Sequence, residues 1–156
     1  MLKKLFIVVA CIAALSLGMA VNLANRVDFT TLEGEGHRWK DLQGKWVVVN
    51  YFAEWCAPCL REIPELNQFY RENRDKLAMF AVSFDPLSHK QLVDLQDQYD
   101  IQFPVIASIA APMPMASPKN LPVTFLIHPD GSVAKQLFGE QSAASLSASL
   151  GRLQGL

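Results

Sequence analysis

The sequence predicts an α/β domain in which a mixed central sheet carries helices on both faces and is preceded by an N-terminal β-hairpin. Three observations indicate this fold class. Residues 46–52 (Trp-Val-Val-Val-Asn-Tyr-Phe) are apolar on both faces, as in a central strand covered by helices. The residues that follow have helical spacing, and the chain then continues as strand, helix, strand, strand and helix. Helices that alternate with strands in this way are typical of a mixed sheet with helical cover.

The first 25 residues are interpreted as an export segment, followed by one domain at residues 26–156. Lys3 and Lys4 precede an uncharged apolar run, and residues 18–20 offer a small-x-small cleavage pattern, as in a secretory signal peptide. Without cleavage, the uncharged stretch of about 20 residues is long enough for a membrane anchor with the lysines in the cytoplasm. We favour the anchor slightly, since nothing forces cleavage. Either way the domain is expected on the periplasmic side of the inner membrane, anchored or soluble after cleavage.

The N-terminal hairpin is predicted from residues 27–32 and 37–39, which flank the sequence Glu-Gly-Glu-Gly at 33–36. Glycines supply the positive φ angles that a tight hairpin turn requires. Residues 40–45 then form a short connection with room for one helical turn before the central strand.

The segment after the central strand predicts a helix that begins near Cys59. Ile63, Leu66 and Tyr70 follow Cys59 at helical spacing. Pro64 interrupts the pattern, and because proline lacks the backbone N–H, it is expected to kink the helix.

The second half of the domain has weaker local signals. Ser88 and Gln91 match a capping box at the start of a helix that extends to about Tyr99. The other predicted elements are a strand at 77–83, a short extended piece at 103–106, a loop at 110–120, a strand at 123–127, a turn at 128–131, a strand at 132–138 and an amphipathic helix at 142–153.

Charge and cysteine content limit the possible functions. The first 25 residues hold two of the 14 basic residues and none of the 15 acidic ones, so the remaining domain has a formal charge of −3. A mildly acidic domain argues against nucleic acid as a partner. Cys11 lies in the apolar segment, where it loosely fits a lipoprotein signal, although the apolar run before it is short. The domain therefore holds one close pair, Cys56 and Cys59, which is too few for a disulfide framework.

The pair Cys56 and Cys59 has the spacing of a working dithiol. Two cysteines separated by two residues can close a small disulfide ring, and at a helix start the unpaired N–H groups stabilise a thiolate on the first sulfur. Thiolate is the attacking species in disulfide exchange. Cys56 is therefore the candidate nucleophile and Cys59 the resolving thiol. Pro58 suits an early helical position, and Trp55 is expected to shield the pair on one side.

Three other roles for the two cysteines are disfavoured. A structural disulfide more often closes a longer loop, because its stabilising effect increases with loop length. A zinc site needs four ligands, and the histidines are scattered without paired spacing. Two unpaired core thiols are the remaining alternative.

The segment Trp55-Cys56-Ala57-Pro58-Cys59 resembles a thioredoxin active site, and residues 27–153 resemble the TlpA/ResA group of exported thiol–disulfide oxidoreductases. Further matches support the resemblance. Pro64, five residues after the second cysteine, matches the proline within the thioredoxin helix. Residues 121–125 (Leu-Pro-Val-Thr-Phe) resemble the loop whose proline is cis and packs beside the disulfide.

The resemblance implies a thioredoxin-like fold and assigns roles to three more residues. Pro122 is expected to be cis, and the backbone of Leu121 is expected to bind an extended substrate segment by strand addition. Glu62 matches an acidic residue near the active site of the TlpA/ResA group and is expected to exchange protons with Cys59 or to tune its pKa. Cytosolic thioredoxins carry a buried aspartate where this sequence has Asn50, so Glu62 is the candidate carboxylate. Relatives often have threonine where this sequence has Val123, and this difference is expected to alter the choice of partner protein.

The resulting functional hypothesis is an exported reductase of protein disulfides that needs no cofactor. Its partners would be protein thiols and disulfides together with a membrane thiol electron donor, and the resemblance suggests cytochrome c maturation or thiol repair. The alternatives are a thiol oxidase and a Cu(I)-binding chaperone that uses Met113 and Met115 as soft ligands. A peroxidase is disfavoured because the isolated peroxidatic cysteine motif is absent from the sequence.

Overall fold

The computed structural model describes residues 26–155, together with Ile12, Ser16 and Gly18. The elements follow the predicted order. They are β1 (Phe29–Thr31), β2 (Gly36–His37), a 3-10 helix (Trp39–Leu42), β3 (Trp46–Phe52), α1 (Ala57–Asn73), β4 (Leu77–Ser83), α2 (His89–Gln98), β5 (Ile106–Ile109), β6 (Val123–Ile127), β7 (Val133–Phe138) and α3 (Ala143–Gln154).

The larger sheet has the strand order β4-β3-β6-β7 and is mixed, as predicted. Strand β3 pairs parallel with β4 and antiparallel with β6, and β6 pairs antiparallel with β7. Six of the seven residues of β3 are buried, as expected for its apolar sequence. Its central position places the carboxyl end of β3 directly before the two cysteines.

The predicted hairpin is confirmed, and it belongs to a second sheet with the order β2-β1-β5. The extended piece predicted at 103–106 was placed too early, since β5 spans 106–109 and pairs with β1. Phe103 and Val105 are instead 2% and 0% exposed in the core, and Val105 forms a single parallel bridge with Ala81 of β4. Apolar character at 103–106 therefore reflects burial, whereas β5 is defined by a partner strand far away in the sequence.

Two clusters of buried side chains form the core. The first contains both cysteines, Val48 and Phe52 of β3, and the buried apolar side chains of all three α-helices. The second is formed by the alternate residues of β3, by β4 and β6, and by Phe29 of β1. Residues from the 3-10 helix and Met113 and Met115 from the loop complete the second cluster. Successive β3 residues thus supply opposite clusters, as the pleat of a strand requires.

The loop at 110–120 covers the second cluster by packing rather than by hydrogen bonding. Met115 is 6% exposed, and Met113 packs against the same cluster. Ala110 and Ala111 both donate their backbone N–H groups to Asp28, but residues 112–120 make no backbone hydrogen bond in the described part of the chain. The thioethers of this loop therefore serve the core.

The helix termini confirm the predicted signals. Ser88 and Gln91 form the predicted capping box at the start of α2, and Ser142 and Ser145 form a second one at the start of α3. Helix α1 runs without interruption through Pro64.

The predicted export segment at residues 1–25 lies outside the described residues, apart from the three named above. No helix of the described residues has both the length and the apolar character needed to cross a membrane.

Asn67 in α1 is a buried contact that the sequence did not reveal. It is 3% exposed, its Nδ2 donates to the Asp100 carbonyl at 2.6 Å, and its Oδ1 accepts from the Gln102 N–H at 2.9 Å. Asp100 adopts a φ of +51°, which is unusual for a residue other than glycine. The Asn67 side chain thus holds the turn after α2 by binding the Asp100 carbonyl and the Gln102 N–H, which belong to no helix or strand.

We expect Asn67→Ala to destabilise the domain by about 1 kcal/mol, because two part-buried hydrogen bonds that hold the turn at Asp100 would be lost. Chemical denaturation of the full chain would measure the change in the free energy of unfolding. Asn73→Ala is the matched control, since Asn73 donates to the Phe69 carbonyl within its own helix and is only partly buried. An equal loss in both variants would contradict this role for Asn67.

Candidate active site

Cys56 and Cys59 form a disulfide at the start of α1, with an S–S distance of 2.06 Å and a Cα–Cα distance of 5.3 Å. Cys56 is the N-cap residue of the helix, and Pro58 lies in its first turn, as predicted. The backbone N–H of Cys59 donates to Cys56 Sγ at 3.3 Å. One of the free N–H groups at the helix start therefore already points at the first sulfur.

The two sulfurs lie in different environments. Both cysteines belong to the first core cluster, but Cys56 is 4% exposed and Cys59 is fully buried. The N–H of Cys59 and the positive end of the helix dipole both favour negative charge on Cys56 Sγ. If the disulfide opens, Cys56 is thus the sulfur better suited to exist as a thiolate.

Trp55 is 65% exposed and forms an aromatic surface next to the disulfide. Its indole Nε1 donates to Asp85 Oδ2 at 2.7 Å, and its ring packs edge-on against Phe84 with a centroid distance of 6.0 Å. The sequence predicted the position of Trp55 beside the cysteines. It did not identify Asp85, which fixes the orientation of the indole from 30 residues away.

The peptide bond between Leu121 and Pro122 is cis, as the resemblance implied. Pro122 is buried, and its carbonyl accepts a hydrogen bond from the N–H of Gly139 at 3.0 Å. Leu121 is partly buried and packs against both core clusters, including the one that contains the disulfide. Because Val123 pairs with Tyr51 near the carboxyl end of β3, the loop before β6 lies at the same end of the sheet as the cysteines.

Glu62 is a buried carboxyl group, 2% exposed, in the turn of α1 that follows Cys59. Its Oε1 accepts from Asn50 Nδ2 at 2.8 Å, and its Oε2 accepts from the backbone N–H of Gln141 at 2.7 Å. Residues three apart on a helix are neighbours on its surface, so Glu62 lies on the same side of α1 as Cys59. Glu62 thus joins α1 to β3 and to the segment before α3.

The environment of Glu62 changes its proton affinity. Burial is the main cause of a pKa of Glu62 raised to about 7 from its ordinary value of 4.5. The hydrogen bonds from Gln141 and Asn50 oppose this increase, and the negative charge of Glu140 adds to it. A carboxyl group with a pKa near neutrality can both accept and donate a proton under ordinary conditions.

The structure confirms the Cys56–Cys59 disulfide and the cis Leu121–Pro122 bond, but it does not join the two methionines considered as copper ligands to the cysteines. Met113 and Met115 pack into the second core cluster, whereas the cysteines belong to the first. Among the described residues, no group of three or more histidine, cysteine, aspartate or glutamate side chains is arranged to hold a metal ion. Gln141 and Thr124, which contact Glu62 and Asn50, were not found from the sequence because their contacts span 79 and 74 residues.

Solved structures of other proteins have the same fold. StoA from Bacillus subtilis superposes with a TM-score of 0.65 at 22% identity and covers 77% of this chain and 92% of its own. The exposed lipoprotein thioredoxin Etrx1 from Streptococcus pneumoniae strain TIGR4 gives a TM-score of 0.67 at 20% identity, covering 80% of this chain and 96% of its own. The thioredoxin-like fold that the sequence predicted is thereby confirmed.

Sequence comparison identifies the family. The profile of the AhpC/TSA family matches residues 21–136. The thiol-disulfide oxidoreductase ResA of Bacillus cereus (strain ZK / E33L) is 33% identical over 126 residues, which represent 80% of this chain and 72% of that protein. The thioredoxin-like protein YneN of Bacillus subtilis (strain 168) is 33% identical over 105 residues, or 66% of this chain and 62% of that protein. The chain therefore belongs to the AhpC/TSA family and, within it, to the ResA-like thiol–disulfide oxidoreductases.

Proposed function

We propose that this protein reduces disulfides of other proteins outside the cytoplasm. The observation that carries the proposal is the Cys56–Cys59 disulfide at the N-terminus of α1, beside the exposed indole of Trp55 and at the same end of the sheet as the cis Leu121–Pro122 bond. Such a pair alternates between dithiol and disulfide, and each cycle transfers two electrons to or from a partner.

Cys56 is the proposed nucleophile. In the reduced protein, its thiolate attacks one sulfur of a substrate disulfide, a Cys56–substrate bond forms, and the electron pair of the broken bond leaves with the second substrate sulfur. The N–H of Cys59, at 3.3 Å from Cys56 Sγ in the oxidised form, and the helix dipole stabilise the thiolate before the attack.

Cys59 is the proposed resolving thiol, and Glu62 is the proposed acceptor of its proton. The S–H proton of Cys59 passes to the Glu62 carboxylate, and Cys59 Sγ attacks Cys56 Sγ of the mixed disulfide. The Cys56–Cys59 bond then forms, and the substrate leaves as a thiolate that takes up a proton. A base is needed here because a fully buried thiol does not readily ionise on its own.

Substrate binding is proposed to use Leu121 and the surface beside Trp55. A cis proline leaves the backbone of the preceding residue available to an extended segment, which would add to the site as a short strand. A cleft of about 380 Å³ has Phe84, Asp85, Met113 and Met115 among its lining residues. Because Asp85 and Phe84 also contact Trp55, the cleft adjoins the indole and would hold an apolar side chain next to the substrate cysteine.

In this proposal, the N-terminal segment determines where the protein is located and what kind of electron donor it needs. A signal peptide or anchor at residues 1–25 places the dithiol on the periplasmic side of the membrane, where a membrane thiol donor must reduce it again. One structural relative is described as an exposed lipoprotein, which supports a location outside the cytoplasm. Cytochrome c maturation and thiol repair are the processes that such a reductant would serve.

A trapping experiment tests the order of attack. We expect Cys59→Ser, expressed as the full chain in its native cell, to accumulate partner proteins disulfide-linked to Cys56, because the resolving thiol is missing. Mass spectrometry of the linked species before and after reduction would identify them. Cys56→Ser is the control and should trap little, since Cys59 is fully buried. Equal trapping by Cys56→Ser would assign the nucleophile to Cys59 instead.

The reduction potential distinguishes a reductase from a thiol oxidase. We expect a potential close to the value of about −270 mV that thioredoxin has, measured by equilibration of the full chain with a dithiol buffer. A strongly reducing potential means that the dithiol gives up its electrons readily. A potential near the value of about −120 mV found for DsbA would show that the protein introduces disulfides.

The role of Glu62 predicts a pH dependence. The carboxylate, which accepts the proton, predominates above the pKa of about 7, so the rate at which Cys59 resolves a mixed disulfide should rise as the pH increases through this value. We expect Glu62→Gln to lower the rate by about 10²-fold or more above pH 7 and to remove the inflection. Stopped-flow measurement with a mixed disulfide formed on Cys56 would follow the step.

Glu65→Gln is the matched control for this measurement. Glu65 lies one turn further along α1, is exposed, and accepts a backbone hydrogen bond from Ala143 at 3.0 Å, much as Glu62 does from Gln141. The Glu65→Gln variant should keep both the wild-type rate of mixed-disulfide resolution and the inflection of its pH profile. A normal pH profile in Glu62→Gln would exclude Glu62 as the proton acceptor.

A further inference from the structure

Both carboxylate oxygens of Glu62 are already occupied by hydrogen-bond donors. Asn50 Nδ2 donates to Oε1 at 2.8 Å, and the backbone N–H of Gln141 donates to Oε2 at 2.7 Å. This arrangement suits the ionised form, which accepts hydrogen bonds and donates none. When the carboxyl group takes up a proton, the new O–H needs an acceptor, which a backbone N–H cannot provide. An uncompensated O–H in the core would destabilise the protonated form.

Asn50 makes a second hydrogen bond with the same nitrogen. Its Nδ2 donates to Thr124 Oγ1 at 3.0 Å, and Asn50 and Thr124 are direct partners across the antiparallel pair of β3 and β6. Asn50, Thr124 and Glu62 are 2%, 0% and 2% exposed. The chain from the hydroxyl through the amide to the carboxyl group is therefore shielded from bulk water.

We propose that Asn50 and Thr124 are positioning residues that reverse their hydrogen bonds when Glu62 gains or loses a proton. A half-turn of the Asn50 amide puts Oδ1 where Nδ2 stood, and this oxygen can accept from both neighbours at once. The Glu62 O–H then donates to Oδ1, and the Thr124 hydroxyl, which can donate or accept, turns its hydrogen toward the same atom. Both contacts persist in both states with their direction exchanged, while the Asn50 NH2 group moves to the former position of Oδ1, which accepts no hydrogen bond from the described residues.

The inference deepens the proposed function, since it rests on the role of Glu62 as the proton acceptor for Cys59. As Cys59 Sγ gives its proton to Glu62 Oε1, the amide of Asn50 rotates and accepts the new O–H. When Glu62 later passes that proton to the departing substrate thiolate or to water, the amide returns. No electrons pass through Asn50 or Thr124, and neither residue touches the reacting sulfurs in this account.

The surroundings of Glu62 contain few other groups able to compensate its charge. Glu140, in the segment before α3, raises the pKa of Glu62 and is itself paired with Arg61 at the surface of α1. Glu65 is directed to the backbone at the start of α3. The next residue of β3, Tyr51, belongs to the second core cluster and thus faces away. The disulfide does not titrate, so the reversible partner of Glu62 is the amide.

Other residue types at position 50 would serve one protonation state of Glu62 and not the other. Aspartate can only accept when it is ionised, so it would leave the Glu62 carboxylate facing a second negative charge. Leucine has neither a donor nor an acceptor. Asparagine offers both on one planar group, and threonine is the cross-strand neighbour that tolerates either orientation.

Nuclear magnetic resonance on the isotope-labelled, oxidised full chain tests the reversal directly. The carboxyl carbon of Glu62 reports its titration, and nuclear Overhauser effects report which side of the Asn50 amide faces Thr124. Above the Glu62 midpoint, we expect the Asn50 amide hydrogens to lie close to the Thr124 methyl group; below it, this contact should weaken severalfold. If the contact remains unchanged while Glu62 titrates, the inference is overturned.

Asn67 is an internal control for this experiment. Its Nδ2 donates to a backbone carbonyl and its Oδ1 accepts from a backbone N–H, and neither of these groups can reverse its role. The Asn67 amide should therefore keep one orientation through the titration of Glu62. A parallel change in Asn67 would indicate a general loosening of the core and would contradict the specific exchange at Asn50.

Substitutions provide a second measurement that distinguishes positioning from packing. Asn50→Asp keeps the shape of the side chain and should raise the titration midpoint of Glu62 by about one pH unit or more, because two adjacent carboxyl groups share a proton. Thr124→Val should also shift the midpoint upward, since a buried amide N–H without an acceptor is tolerated less well than a carbonyl without a donor. Thr124→Ser retains the hydroxyl and should restore the wild-type midpoint. Unchanged midpoints in Asn50→Asp and Thr124→Val would overturn the inference.

These measurements need no substrate, so their failure is distinguishable from failure of the proposed function. If Glu62→Gln resolves mixed disulfides normally, the catalytic role of Glu62 is wrong, and with it the use assigned here to the amide. If Glu62→Gln is slow but the Asn50 amide does not reverse, the proposed function stands and the inference about Asn50 and Thr124 fails.

Discussion

The buried carboxyl group of Glu62 is the constraint around which the site is arranged. It extends from the helix that carries both cysteines and takes hydrogen bonds from Asn50 in β3 and from the backbone of Gln141 before α3. An ionised carboxylate can be kept in a core if its oxygens have donors. The same contacts fix α1 over the sheet, so the elements that flank the disulfide are held together by the group proposed to manage its protons.

The central position of β3 allows one strand to serve several tasks. Its alternate residues supply two different core clusters, and Asn50 is the polar exception on the face that packs under α1. While Glu62 is ionised, a buried amide is acceptable there because both of its hydrogens have partners on neighbouring elements. Strand β3 thus supplies hydrophobic support and a hydrogen-bonding partner for the site without any irregularity in its pairing.

Much of the fold and the local part of the site could be predicted from the sequence. Strands β3, β4 and β6 begin and end where their apolar runs do, and the motif from Trp55 to Cys59 identified the redox pair. The pairing of β5 with β1 could not be predicted, because no local pattern encodes a partner that far away. Likewise, the sequence shows that Asn50 replaces the aspartate of cytosolic thioredoxins. Its contact with Thr124 could not be predicted, because it depends on strand register across 74 residues.

The loop at 110–120 gives the molecule an uneven distribution of local stability. Residues 112–120 make no backbone hydrogen bonds in the described part of the chain, so the packing of Met113, Met115 and the buried Pro118 is the main resistance to their separation from the sheet. Such segments open at a lower free energy than the strands they cover. Because methionine sulfoxide is polar, oxidation during a brief opening would prevent Met115 from repacking. In an oxidising compartment, methionine oxidation would therefore disrupt the packing of this loop before the disulfide site loses its structure.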